Sequence, residues 1–133
     1  MTAEIVYKGE LRCELKHLFS GTTILTDAPV DNHGKAQAFS PTDLLAASAA
    51  SCMLTIMGIA APTHGYNIDE TKITVNKIMA SNPRRVAALE FDLYFPPNDY
   101  TDKQKQVIEH IAHTCPVMLS LHPDIEKKIV LHF

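Results

Sequence analysis

Cys52 and Cys115 are the residues of this 133-residue chain best placed to do chemistry. Cys52 lies in a run from Ser40-Pro41-Thr42-Asp43 to Thr55-Ile56-Met57 that carries no charge after its first turn. Cys115 lies in Thr114-Cys115-Pro116-Val117, where one helical pattern stops and another starts. A thiolate can attack a peroxide, and a second thiol can convert the resulting sulfenic acid to a disulfide. Pro116 suits a first helical position, which puts Cys115 at a cap where unpaired N–H groups and the helix dipole favour a thiolate. Cys52 lacks such help: Ser48, Thr55 and Ile56, about one turn away on its face, carry no charge. On local electrostatics Cys115 is the better nucleophile. Each thiol also has a packing reading, Cys52 among Ala, Leu and Met, and Cys115 as a continuation of the Ile108 and Ile111 stripe.

Asp43 is the acid nearest to Cys52 along the chain. Nine residues of straight helix turn through roughly 900° and rise about 13 Å, which puts the two on opposite faces. Asp43 therefore meets a thiolate only through a helix break or from a second subunit, and otherwise caps the helix. Cys13 alternates with Leu11 and Leu15 on one face of a strand and reads as core. His110 and His113, at i, i+3 with Cys115 nearby, resemble the start of a zinc site, but no second pair has ligand spacing. No metal or other cofactor is expected. Phosphate-binding loops and nucleophile elbows are absent from the sequence.

These thiols need elements to position them, and the pattern supplies strands first. Ile5 and Tyr7 alternate with Glu4, Val6 and Lys8, and Gly9 turns the chain; Leu11, Cys13, Leu15 and His17 alternate with Arg12, Glu14 and Lys16. A third strand runs through Thr22–Thr26, and Asp31–Lys35 is loop. Ser40 as N-cap, Pro41 in first position and Asp43 three residues past the cap start a helix that should stop near Pro62. Strands follow over 71–76 and 88–95, with a phase shift at Lys77-Ile78-Met79 suggesting a bulge. Thr101 with Gln104 forms a capping box for a helix through Val107, Ile108, Ile111 and Cys115. Ile129, Leu131 and Phe133 close the chain as a strand. The order is that of an α+β protein with antiparallel sheet packed on helices, in a single domain over 1–133.

Composition narrows the function. Apolar residues make up 46 % and charged residues 20 %, which suits one folded domain. A scattered net charge of −3 with no basic run excludes a nucleic-acid stripe. Met1–Lys8 has no secretory h-region, and three cysteines are an odd number, so the expected compartment is the cytoplasm and any disulfide there is transient. Leu44–Ile68 holds no Asp, Glu, Lys or Arg and is long enough to span a bilayer. Its Ala, Ser and Thr content and its Gly58, Pro62 and His64 favour a buried helix, so no membrane is expected.

The chain resembles the OsmC/Ohr family of peroxide-reducing proteins, in a divergent OsmC-like branch. The resemblance rests on Phe39-Ser40-Pro41-Thr42-Asp43-Leu44-Leu45 leading to Cys52, on Cys115-Pro116-Val117, and on Thr26-Asp27-Ala28-Pro29 with His33-Gly34. It implies an intertwined homodimer in which antiparallel sheets wrap a long central helix and a site forms at each subunit boundary. It also implies that Cys52 attacks the hydroperoxide, that Cys115 resolves the sulfenate to a disulfide, and that a small or protein dithiol reduces it. The organic-hydroperoxide branch has a glutamate where this chain has Thr42, with Asp43 one residue later. Its N-terminal arginine has no clear counterpart: Arg12 is expected on a solvent face, and Arg84 and Arg85 lie too far along. Thiol-dependent peroxidase is the expected activity; the alternative is a non-catalytic dimer that binds an apolar ligand between subunits.

Overall fold

A computed structural model describes residues 1–133. The chain resolves into two compact units, Met1–Leu45 and Ala46–Phe133.

In the first unit, β1 (Ala3–Gly9), β2 (Arg12–His17) and β3 (Thr23–Asp27) form an antiparallel sheet in that order. Ile5 lies opposite Leu15 and Leu15 opposite Ile24, while Tyr7, Cys13 and Thr26 form the next row. Leu11 belongs to the turn, not to β2: Gly9, Glu10 and Leu11 all take positive φ, at 84°, 53° and 63°. Positive φ at both central residues is what a tight hairpin with right-handed strand twist demands. After β3, Val30–Asn32 forms a short 3-10 helix within the expected loop. The loop closes where the Asp27 amide donates to the Phe39 carbonyl at 3.1 Å. Gly34 lies flat on Ala28, where an added Cβ would come within 1.7 Å of the Ala28 oxygen.

Helix α1 (Pro41–His64) runs unbroken for 24 residues, so its length is about 36 Å. Ser40 and Asp43 cap it reciprocally: the Ser40 amide donates to Asp43 Oδ2 at 2.9 Å, and the Asp43 amide donates to Ser40 Oγ at 3.0 Å. Pro62 sits in the last turn rather than ending the helix. The stop is Gly65, whose φ of 70° lets its amide reach the Ala61 carbonyl at 2.8 Å. By length and composition α1 could cross a membrane. Its buried residues are Ala46, Ala49, Ala50, Met53 and Met57, and all five lie in the second unit.

The second unit continues with β4 (Lys72–Ala80), β5 (Arg85–Tyr94), α2 (Asp102–Thr114), α3 (Pro116–Ser120) and β6 (Glu126–His132), in a sheet of order β4-β5-β6. The expected bulge falls between Ile78 and Met79, which pair with Ala88 and Val86, so the extra residue is Ala87 on β5. That insertion turns Val86 rather than Arg85 inward, beside the buried Leu89, Phe91 and Leu93. Strands β5 and β6 run parallel, with Phe91 opposite Ile129, where the sequence suggested antiparallel pairing throughout. The physical reason is the crossover: α2 and α3 carry the chain back to the starting end of the sheet. Met53, Met57, Ile108 and Cys115 join Phe91 among the largest fully buried side chains.

Candidate active site

The two thiols meet through a matched helix length. Thr101 and Gln104 cap α2 reciprocally, as the sequence indicated, and Gln104 does a second job. Its Nε2 donates to the carbonyls of His64 and Gly65, both at 3.2 Å, which fastens the start of α2 to the end of α1. From that tie, Cys115 lies eleven residues up α2, about 16.5 Å, and Cys52 lies twelve residues back along α1, about 18 Å. Helices pinned at one end thus carry both cysteines to nearly the same distance from the tie. Tyr66 adds a further anchor, its hydroxyl donating to the Met57 carbonyl at 2.7 Å.

Cys115 is the joint of α2 and α3. Pro116 forces the preceding residue out of helical space, and Cys115 adopts φ −62°, ψ 151°. Its amide donates to the Ile111 carbonyl at 3.0 Å, and its carbonyl accepts from Leu119 at 3.1 Å. The side chain is 1 % exposed. Cys52 is partly exposed, and all three cysteines are free thiols. The Cys52 and Cys115 side chains are neighbours, close enough for Cys52 to act on the titration of Cys115.

Burial pushes the Cys115 thiol up, and the neighbouring Cys52 adds to the rise through its hydrogen bond and charge. The amides of Met118 and Val117 favour the thiolate, as a helix start should, without closing a formal cap bond to the sulfur. Desolvation outweighs them. The cap position expected for Cys115 is real, but the sulfur is sunk in the core of its unit and burial opposes the helix start.

Asp43 stands at the start of an unbroken α1, engaged in the cap with Ser40, and no helix break turns it toward the face of Cys52. Arg12 is not on an open solvent face. It lies opposite Asp27 in the sheet, 3.6 Å from a carboxylate that is 2 % exposed, and it also hydrogen-bonds Gln37 Oε1. Asp27 accepts the Gln37 amide at 3.0 Å as well. Asp27 falls just past the third expected strand; the usable signal was an acid in register with the only arginine of the first strands. Cys13 is partly exposed rather than core. No group of three or more His, Cys, Asp or Glu residues is placed to hold a metal ion.

Two three-stranded sheets with a long apolar helix, and a helix-borne thiol beside a second thiol at a helix joint, make a mixed α+β protein. Residues 33–129 match the family described as OsmC-like protein, and the chain belongs to that family. A crystal structure from Psychrobacter arcticus 273-4, provisionally described as an osmotic stress induced and detoxification response protein, is 48 % identical. That likeness covers 99 % of this chain and 96 % of the other, with a TM-score of 0.94. The fold also matches a Legionella pneumophila protein described as organic hydroperoxide resistance protein OsmC, at 14 % identity, TM-score 0.77 and coverage of 100 % and 98 %. It matches the organic hydroperoxide resistance protein OhrB of Bacillus subtilis at 17 % identity, TM-score 0.70 and 98 % coverage of each chain. No functionally curated protein gave a match.

Proposed function

We propose that this OsmC-like protein is a thiol-dependent peroxidase that reduces organic hydroperoxides in defence against oxidative stress. The observation that carries the reading is that Cys52 and Cys115, 63 positions apart in sequence, are side-chain neighbours. The Cys52 thiolate attacks the outer peroxide oxygen; the O–O bond breaks, the alcohol leaves with a proton, and Cys52 becomes a sulfenic acid. Cys115 then displaces water from that sulfur to form the disulfide, and a small or protein dithiol reduces it through exchange. Cys52 takes the first role because it is the thiol with an exposed flank.

The protein acts as a cytoplasmic homodimer, without metal or other cofactor. Three free thiols suit a reducing compartment. Ile5, Tyr7 and Ile24 remain 57 %, 63 % and 47 % exposed on one sheet face, and Ile59 near the end of α1 remains 69 % exposed, which is apolar surface for a second copy to cover. Asp43 caps α1 in its own chain and serves the thiol site as the acid presented by that second copy.

One observation favours the alternative of a non-catalytic dimer with an apolar ligand at the subunit interface: the burial that holds Cys115 as a neutral thiol. Intact mass after one equivalent of cumene hydroperoxide separates the two. The peroxidase loses about two mass units as the disulfide forms, and Cys115→Ser abolishes that loss. Turnover with dithiothreitol stops in Cys52→Ser. An unreactive wild-type protein refutes the reading.

A further inference from the structure

Resting on that reading, we infer that reducing equivalents enter the oxidised protein through Cys52 alone: the external thiol attacks the Cys52 sulfur of the disulfide, and Cys115 is always the leaving group. Exchange at a disulfide is governed by which sulfur the nucleophile can reach as well as by the two thiols' acidities. The two sulfurs differ sharply in access.

Cys115 is 1 % exposed, and its surroundings allow little movement. Its amide is committed to the last bond of α2 and its carbonyl to α3. Pro116 stiffens the joint between them. Ile111, Ala112 and Met118, within four residues of it, are themselves buried. All of these belong to its own unit, so a second copy can only cover the sulfur further. Turning it to solvent means dismantling the α2–α3 joint.

Cys52 is only partly covered. Ser48, Ser51 and Thr55, which flank it at one turn before, the preceding position and three residues on, are all exposed. Thiolates attack in line with the S–S bond, from the side opposite the departing sulfur. For attack at Cys52 that side is the one away from Cys115.

The chemistry balances in two exchanges. The incoming thiolate RS⁻ bonds to Cys52 Sγ as the Cys52–Cys115 bond breaks, and Cys115 leaves with the electron pair and takes up a proton. Burial favours that neutral thiol, which slows its return onto the mixed disulfide. A second thiolate then attacks the RS sulfur, releasing RSSR and the Cys52 thiolate.

The test uses full-length protein carrying Cys13→Ser, so that only the pair can react. It is oxidised with one equivalent of cumene hydroperoxide, and the loss of about two mass units is checked first. Limiting glutathione is added, the reaction is acid-quenched over a time course, free thiols are capped with N-ethylmaleimide, and peptides are mapped. At the earliest times glutathione should sit on Cys52 and N-ethylmaleimide on Cys115, by at least tenfold over the reverse. Glutathione on Cys115, or equally on both, overturns the inference while leaving the peroxidase reading intact. Absence of the mass loss removes the disulfide, and with it both.

Discussion

Replacing Gln104 asks whether the tie between α1 and α2 is what keeps the thiols in register. Its side chain accepts the Thr101 amide at 3.0 Å and donates to two carbonyls at the end of α1. A net hydrogen bond is worth about 0.5–1.5 kcal/mol, and these are solvent-accessible, so Gln104→Ala should cost about 1–2 kcal/mol in all, counting the shared donor once. For a domain of this size that is a fall in melting temperature of roughly 3–8 °C. Gln104→Glu separates the parts, since a carboxylate still accepts from Thr101 but faces the His64 and Gly65 carbonyls with no donor. If about 1 kcal/mol of the loss falls on helix alignment, the disulfide should form roughly fivefold more slowly in both variants, because 1.36 kcal/mol is tenfold in rate. Stopped-flow oxidation with excess peroxide, well below each melting point, measures this. Lower melting with an unchanged rate of disulfide formation in both variants would refute the register argument.

Other outcomes follow from the same geometry. Burial first, and the neighbouring Cys52 second, hold the Cys115 thiol above its ordinary value of 9.0. The native state therefore keeps a proton that the unfolded chain has lost, so this group's contribution is intact below that value and fades as pH rises through the folded one. Urea midpoints should drop as pH rises above 9.0, and drop less in Cys115→Ser; Cys52→Ala, which removes that neighbour, should lower the Cys115 pKa, read by thiolate absorbance. Gly34→Ala would drive a Cβ to 1.7 Å from the Ala28 oxygen, so the loop over 28–39 must rearrange at about 1–3 kcal/mol or more, visible as faster amide exchange there. Asp43→Asn keeps an acceptor for the Ser40 amide and should leave melting nearly unchanged, while Asp43→Ala loses about 1 kcal/mol. Peroxidase turnover about tenfold lower in the Asn variant marks the acid as catalytic; equal turnover confines Asp43 to capping.

Both helix starts were legible in the sequence because a cap is a local event. Ser40 with Asp43 and Thr101 with Gln104 each satisfy orphan amides within four residues, and both boxes form as read. The stop of α1 was misjudged by two residues, since Pro62 was weighed and Gly65, with its positive φ, was not. All six strands were legible in the sequence, most of them from alternation, but pairing direction is set by what connects them, so the parallel β5–β6 pair emerged only with the crossover. Arg12 shows the same limit, as its partner Asp27 is fifteen residues away and reached by register.

Residue types and local spacing determined on their own that two thiols stand at a helix face and a helix joint of an α+β chain, and the resemblance of its motifs pointed to the OsmC-like family that the chain belongs to. Tertiary structure decided which of them is accessible and that they touch. Acidity and access depend on what surrounds a sulfur in space, and the side chains that bury Cys115 outweigh the helix start that its own neighbours provide.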